Sequence, residues 1–288
     1  MKKTEISVVI PAYNEENSIA TTVKSLFSLG LENNWDIEVI VVNDGSRDNT
    51  GKIALETGAT VINHPINGGY GLSIQDGIEA SKMPLIAITD ADGTYPISEL
   101  PNLLKMVTED GFDMAVGART GSEYKKGLWK YPARLAFKWL SEFVAGRRIP
   151  DINSGLRVMK KDKLLPHYKR TCLGFSFTTS ITLIFFLNGY FVGYKPIPYA
   201  KRVGKSKVRH FQDSLRTAQI LVSVISYYNP LKLYLLLAIF NIFTGIIILL
   251  VGESFSVYGL VMFGAVLLGT APFIMSLGFL AESIRLKN

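Results

Sequence analysis

The chain has 288 residues and a formal net charge of +7, and 48% of its residues are hydrophobic while 19% are charged. This length allows about two domains, and the composition excludes a disordered chain and is unusually apolar for a wholly soluble protein. The positive charge suits an anionic partner. One cysteine and three histidines exclude a disulfide-stapled scaffold and a Cys/His zinc site, so any metal should be a hard cation bound by oxygens.

Short β-branched runs alternate with amphipathic stretches in the first part of the chain. The first run is too short for a signal peptide and is interpreted as a strand. This alternation predicts a mostly parallel α/β sheet with helices on both faces, whose ligands bind beyond the carboxyl ends of the strands. The predicted strands are 6–10, 38–42, 59–62, 85–89 and 114–118, and the predicted helices are 15–29, 48–57, 70–82 and 98–109.

Polar residues follow three of these strands. Segment 11–16 lacks the glycine-rich turn of a dinucleotide site. Asp44 follows the second strand, where a carboxylate can accept hydrogen bonds from a base or ribose, whereas Asp48 is interpreted as a helix cap. Asp90 and Asp92 follow the fourth strand, so an irregular turn there can direct both carboxylates at one divalent cation and its diphosphate. The alternative for this pair is an ordinary turn.

Two uncharged segments near the C-terminus, 233–252 and 254–281, are each long enough to cross a membrane core of ~30 Å. They predict a transmembrane helical hairpin, with two buried core helices as the alternative. Lysine and arginine residues flank the hairpin and are absent from the loop around Glu253. The positive-inside rule therefore predicts an integral membrane protein whose globular part and both termini are cytoplasmic.

The predicted domains are a globular part at 1–207, a juxtamembrane amphipathic helix at 208–230 and a transmembrane hairpin at 231–288. The hairpin spans are expected at about 233–252 and 257–281. The alternative for the amphipathic helix is an ordinary helix packed on the globular part.

Five motifs lie along the first part of the chain: PAYNEE (11–16), NDGS (43–46), NGGYGLSIQDG (67–77), DADGTYP (90–96) and GAR (117–119). Together they resemble family 2 inverting glycosyltransferases with the GT-A fold, and the closest subgroup is similar to dolichol-phosphate mannose synthases and bacterial polyprenyl-phosphate glycosyltransferases. The resemblance implies a Rossmann-like GT-A domain that transfers a sugar, with inversion, from a nucleotide sugar of the UDP-glucose or GDP-mannose type. The implied acceptor is dolichyl or undecaprenyl phosphate at the cytoplasmic membrane face.

The resemblance also implies roles for individual residues on the donor side. Asp90 and Asp92 would hold Mg²⁺ or Mn²⁺, with Asp92 as the main ligand. Thr94 stands where some relatives have a glutamine that completes the metal site. The residues that would bind the nucleotide sugar are Pro11, Tyr13, Glu15, Asp44, Asp90, Ala91, Asp92, Arg202 and Lys207.

On the acceptor side, the resemblance implies that Asp151 and Arg119 act at the reaction together with Asp92. Asp151 is the candidate general base, although a phosphate acceptor is already ionised near neutral pH and needs orientation more than deprotonation. The residues that would contact the acceptor phosphate are Arg119, Arg134, Ser154 and Arg157.

The sequence also has to be compared with three other functions. A processive polysaccharide synthase usually carries a QxxRW segment, which QDSLR at 212–216 does not match. A non-catalytic partner that binds nucleotide sugar is disfavoured by the intact carboxylate pair. Nucleic-acid binding is not expected, because the cations cluster beside the apolar segments.

The basic run 201–209 can bind the diphosphate, acidic lipid, or both. The sequence leaves open a homo-oligomer.

Overall fold

The computed structural model describes residues 3–121, 131–171, 174, 176–200, 219 and 222–287, without the side chains of residues 131–134, 136 and 170. The chain divides into two compact units, Met1–Thr217 and Ala218–Asn288. The first unit contains the sheet, and the second contains two long apolar helices.

The first unit is built on a seven-stranded sheet in the order β3-β2-β1-β4-β6-β5-β7. Every pairing is parallel except those of β6, which runs antiparallel to both β4 and β5. The predicted mostly parallel α/β sheet is therefore confirmed. The strands are β1 (Glu5–Ala12), β2 (Asp36–Asn43), β3 (Thr60–Asn63), β4 (Leu85–Ile88), β5 (Met114–Thr120), β6 (Arg157–Lys160) and β7 (Val192–Pro198).

The sequence pattern did not predict β6 and β7. The four-residue β6 begins with a fully buried arginine, Arg157, which removes the usual apolar signal of a strand. The seventh strand contains Pro196 and Pro198, and prolines argue against a strand because they cannot donate to the ladder. They are tolerated here because β7 lies at the edge of the sheet.

Helices cover both faces of the sheet, and alternate residues of each strand enter different cores. Val8 and Ile10 pack with the apolar residues of α1 and α4, whereas Val9 packs with those of α3 and α7. The helices of this unit are α1 (Ile19–Glu32), α2 (Thr50–Glu56), α3 (Tyr70–Ala80), α4 (Leu100–Thr108), α5 (Tyr131–Ala145), α6 (Lys161–Leu164) and α7 (Phe177–Leu187).

The second unit is a helical hairpin of α8 (Pro230–Ser254) and α9 (Tyr258–Lys287). Both helices are long and apolar enough to cross a membrane. They touch through small residues spaced seven apart, so that the two backbones come close. These residues are Ala238, Gly245 and Gly252 on α8, and Gly264, Ala271 and Gly278 on α9.

Large apolar side chains point away from this hairpin contact. Phe240, Phe243 and Phe273 are among the most exposed residues of the second unit. An exposed apolar surface of this extent is expected for helices that face lipid rather than water. Most of the predicted juxtamembrane helix at 208–230 lies outside the described residues, although 222–228 is helical.

Candidate functional site

The candidate site lies at one edge of the sheet, where β1, β2, β4 and β5 end. These strands point the same way, so the segments that follow them meet at the same edge. Segment 11–16 follows β1, Asp44 follows β2, and Asp90 and Asp92 follow β4. The fold therefore places these three segments at the same edge of the sheet.

Backbone hydrogen bonds tie the loop after β1 to the loop after β2. Asn14, at a left-handed φ of 51°, donates its N–H to Ser46 Oγ at 3.0 Å and accepts from the Arg47 N–H at 2.8 Å through Oδ1. The Glu15 N–H donates to Thr50 Oγ1 at 2.8 Å. These bonds fix the loop that carries Tyr13 and Glu15, whose contacts with a nucleotide stay a prediction.

Asp48 links the same two loops and caps α2. Its carboxylate accepts the N–H of Thr50, the first residue of the helix, at 3.0 Å and the N–H of Glu16 at 3.3 Å. Burial raises the pKa of Asp48, but the hydrogen bonds from Thr50 and Glu16 outweigh it, so the pKa lies below its usual value. The structural interpretation of this residue as a cap agrees with these contacts.

The Asp44 carboxylate is buried and organises the loop that precedes α3. Its Oδ1 accepts the Gly68 N–H at 2.7 Å, and its Oδ2 accepts the Gly69 N–H at 2.9 Å. Gly69 has a φ of 102°, which a residue with a side chain rarely adopts. The Nδ1 atom of His64 lies 2.8 Å from Oδ1 of Asp44. Asp44 therefore shapes the predicted nucleotide pocket through the backbone.

Asp90 sits between a tyrosine and a glycine that the sequence analysis did not single out. The Tyr70 hydroxyl donates to Asp90 Oδ1 at 3.1 Å. A β-carbon on Gly155 would lie 2.8 Å from the same oxygen. Tyr70 belongs to the motif NGGYGLSIQDG and Gly155 to the segment DINSGLRVM (151–159), but only the fold shows that they meet at Asp90.

Asp92 is buried and held by Thr94. The Thr94 N–H and hydroxyl donate to Asp92 Oδ1 at 3.1 and 2.6 Å. The residue that replaces the family's glutamine therefore orients Asp92. Ala91 is also buried, and its carbonyl accepts a hydrogen bond from the Thr22 hydroxyl at 3.3 Å.

Two phenols near Asp90 are kept in their neutral form. Burial, followed by the negative charge of Asp90, raises the pKa of Tyr70 well above its usual value. The same two causes, in that order, raise the pKa of Tyr95. The Tyr95 oxygen accepts the Gly155 N–H at 2.7 Å. Because both tyrosines keep their protons, the carboxylates meet hydroxyl groups rather than further negative charge.

The described residues fit a hard divalent cation through Asp90 and Asp92. No group of three or more His, Cys, Asp or Glu side chains that could hold a metal occurs among these residues. Two carboxylates are the usual protein contribution to a magnesium site that is completed by water and substrate phosphates. The donor set therefore suits a cation that binds together with a diphosphate.

Arg119 and Asp151 form a bidentate ion pair beside this site. Nε of Arg119 lies 2.7 Å from Asp151 Oδ2, and Nη2 of Arg119 lies 2.9 Å from Asp151 Oδ1. The Arg119 N–H also donates to Oδ2. The guanidinium group lies over the ring of Tyr199, 5.4 Å from its centroid. Because both of its oxygens accept from Arg119, Asp151 is better suited to hold the arginine than to take a proton.

Ser154 and Arg157 are fully buried, and their side chains bind backbone carbonyls. The Ser154 hydroxyl donates to Gly117 O at 2.6 Å. The Arg157 guanidinium donates to the carbonyls of Ser154 and Thr178 and to a threonine hydroxyl on α7. Burial lowers the pKa of Arg157, and the nearby tyrosines and Asp151 act in the opposite direction. These contacts brace the 154–157 segment, and direct contact with an acceptor phosphate stays a prediction.

Three of the remaining predicted residues have side chains outside the described part of the chain. Arg134 lies in α5, but its side chain is not described. Arg202 and Lys207 lie outside the described residues. Pro11 is at the end of β1 and is partly buried, and its contact with a nucleotide stays a prediction.

Comparisons with known proteins agree with the fold. A family model described as glycosyl transferase family 2 matches residues 7–178. A dolichyl-phosphate hexose transferase from Haloferax volcanii is 29% identical over 222 residues, which cover 76% of this chain and 93% of that protein. An undecaprenyl-phosphate 4-deoxy-4-formamido-L-arabinose transferase from Pseudomonas fluorescens is 34% identical over 45% of this chain and 39% of that protein.

Among solved structures, glucosyl-3-phosphoglycerate synthase from Mycobacterium tuberculosis superposes with a TM-score of 0.63. It is 20% identical, and the match covers 77% of this chain and 79% of that chain. The crystals contained Mn²⁺, UDP-glucose and phosphoglyceric acid. At this identity the likeness supports the fold alone, and it agrees with the expected GT-A architecture.

Proposed function

The chain belongs to glycosyl transferase family 2, and on that premise we propose that it transfers a hexose from a nucleotide sugar to a polyprenyl phosphate. The observation that carries the proposal is the pair of oriented carboxylates, Asp90 and Asp92, at the carboxyl edge of the sheet. Relatives that act on dolichyl and undecaprenyl phosphates support the choice of acceptor. The two apolar helices support a membrane-bound substrate.

On the donor side, the loops after β1 and β2 would bind the nucleotide, with Asp44 near the base or ribose. Donors of the UDP-glucose or GDP-mannose type are proposed. Asp90 and Asp92 would hold Mg²⁺ or Mn²⁺, which when bound supplies positive charge to the diphosphate leaving group. Thr94 and Tyr70 keep the two carboxylates oriented for this task.

The chemical step is one in-line displacement. An oxygen of the acceptor phosphate forms a bond to C1 of the sugar while the bond from C1 to the diphosphate breaks, so the configuration at C1 inverts. The nucleoside diphosphate leaves, and no proton has to be removed from an acceptor that is already ionised. This agrees with a structure in which Asp151 is paired with Arg119. We propose that Arg119 faces a phosphate while Asp151 positions it.

The hairpin would hold the catalytic unit at the cytoplasmic face of the membrane. Lys232 lies in the first turn of α8, Arg285 and Lys287 lie at the end of α9, and the 255–257 loop has no lysine or arginine. Positive residues favour the cytoplasmic side. Confinement to this surface would bring the active site to the plane in which the polyprenyl chain presents its phosphate.

A lipid-transfer assay tests the proposal. Membranes that contain the protein are incubated with labelled UDP-glucose or GDP-mannose and Mn²⁺, with either dolichyl or undecaprenyl phosphate added, and the lipids are extracted. We expect label in a lipid product with one donor, and none with Asp92→Asn. Label in a polymer, or in no product with any donor and carrier, would contradict the proposal.

A further inference from the structure

His64 bridges two carboxylates that come from different elements. Its Nδ1 lies 2.8 Å from Oδ1 of Asp44, which follows β2, and its Nε2 lies 2.9 Å from Oδ2 of Asp76 in α3. The His64 side chain is 10% exposed, against 6% for Asp44 and 37% for Asp76. Within the described part of the chain, these two carboxylates are the charged groups in contact with the ring.

The number of protons in this bridge follows from the hydrogen-bonding groups. Ionised carboxylates only accept hydrogen bonds, and a neutral imidazole has one N–H and one bare nitrogen. Both contacts are attractive only if a proton lies between each ring nitrogen and its carboxylate oxygen. A neutral ring between two carboxylates supplies one such proton, so the three groups must together hold one more. The cluster then carries one net negative charge. Without that proton, a nitrogen lone pair faces a carboxylate oxygen.

The bridge lies beneath the loop that shapes the donor side of the candidate site. Asp44 accepts the N–H groups of Gly68 and Gly69. The next residue, Tyr70, begins α3 and donates its hydroxyl to Asp90. Asp76, one and a half turns further along the same helix, is the other end of the bridge. His64 therefore ties the end of β2 to the helix that carries the hydroxyl partner of Asp90.

We propose that His64 is a positioning residue for donor binding, and that nucleotide-sugar affinity depends on its two hydrogen bonds, to Asp44 and to Asp76. The proposal rests on the proposed function, because it takes the Asp44 loop as part of the nucleotide pocket. A side chain that cannot make both contacts leaves the Asp44 loop without its support from α3, so donor affinity falls.

Two variants separate this role from a general structural one. His64→Gln cannot donate to both carboxylates from the two ring positions, so it breaks the bridge at every pH. Asp76→Asn keeps the bridge with a different donor, because the asparagine amide can donate a hydrogen bond to the bare Nε2 of a neutral ring. His167→Gln is the matched control, since it replaces a histidine whose Nε2 lies 3.5 Å from the Tyr190 hydroxyl.

The test measures binding of UDP-glucose and GDP-mannose to the full chain in detergent with Mn²⁺ at neutral pH. Wild type and His167→Gln should bind alike. His64→Gln should bind about tenfold or more weakly, the size expected for a lost charge-assisted hydrogen bond. Asp76→Asn should bind close to wild type, because its amide can still make the contact with the ring.

A second readout needs no donor. In protein with ¹⁵N-labelled histidine, the His64 signals, assigned by their loss in His64→Gln, should show two protonated nitrogens at neutral pH in wild type and one in Asp76→Asn. A bare nitrogen on His64 in wild type would overturn the proposal, as would equal donor affinity in wild type and His64→Gln. If the NMR result holds but neither donor binds, the failure belongs to the proposed function.

Discussion

Gly155 and Asp90 lie so close that a β-carbon at residue 155 would be 2.8 Å from Asp90 Oδ1 and 3.2 Å from Cγ. The Gly155 N–H also donates to the Tyr95 oxygen. The segment that follows α5 therefore packs against the carboxylate after β4 with no space for a side chain. The position of the Asp90 side chain therefore depends on residue 155 being a glycine.

Gly155→Ala should displace Asp90 and lower sugar transfer by about ten- to a hundredfold, because displacements near 1 Å in an active site have effects of this size. The main-chain conformation of Gly155 is not left-handed, so the added methyl group acts through the contact with Asp90. Initial rates and the Mn²⁺ dependence of transfer measure the effect. Gly259→Ala, where the added methyl group has no neighbour within 4 Å, is the control and should keep wild-type rates.

Asp92→Asn should abolish transfer while the protein still folds and inserts into membranes. The amide oxygen can still accept the hydrogen bonds from Thr94, but the charge that holds the cation is lost, at a cost of several kcal/mol, or roughly a thousandfold or more in rate. Asp162→Asn removes a carboxylate that is 71% exposed on α6 and serves as the control. Near-normal turnover of Asp92→Asn at saturating Mn²⁺ would show that this residue is not a metal ligand.

Asp151→Asn should reduce kcat by about ten- to a hundredfold without changing the shape of the pH–rate profile. The reason is that Asp151 holds the Arg119 guanidinium in place, and asparagine replaces only one side of the bidentate contact. The measurement is kcat across the pH range with saturating donor and acceptor. If the variant loses an ionisation that is present in the wild-type profile, Asp151 acts as a general base instead.

Both termini are expected on the cytoplasmic side, with the 255–257 loop outside. In a Cys172→Ser background, Ser254→Cys should react with an impermeant thiol reagent added to intact cells, and Lys3→Cys should react only after lysis. The expectation follows from the lysine and arginine residues that flank the hairpin. The reverse labelling pattern would place the catalytic unit on the opposite side of the membrane.

Gly264→Leu should force the two long helices apart. A β-carbon at this position would lie 2.7 Å from Leu249 N and 2.8 Å from Gly245 O, which are backbone atoms that cannot turn away. Overpacking of this kind costs about 1–3 kcal/mol. Gly269→Leu adds the same side chain to the same helix where nothing lies within 4 Å. We expect only Gly264→Leu to lower the thermal unfolding temperature in detergent; equal temperatures for both variants would refute the close contact.

The sequence by itself determined the features that depend on local patterns. Runs of β-branched residues predicted β1 to β5, because the apolar pattern of a buried strand is visible in residues that are neighbours in the sequence. The same local signal located the two apolar helices, and it placed Asp44, Asp90 and Asp92 at strand ends. Since parallel strands end at one edge, the site could be predicted without coordinates.

Only the tertiary structure decided which side chains meet at that edge. Arg119 pairs with Asp151 across 32 positions of sequence, and Tyr70 reaches Asp90 across 20. The insertion of antiparallel β6 between β4 and β5 brings Gly155 to Asp90. Such contacts depend on strand order and chain reversal, which no local periodicity encodes. For the same physical reason, the pattern could indicate Asp151 as a base, while the fold showed that Arg119 holds its carboxylate.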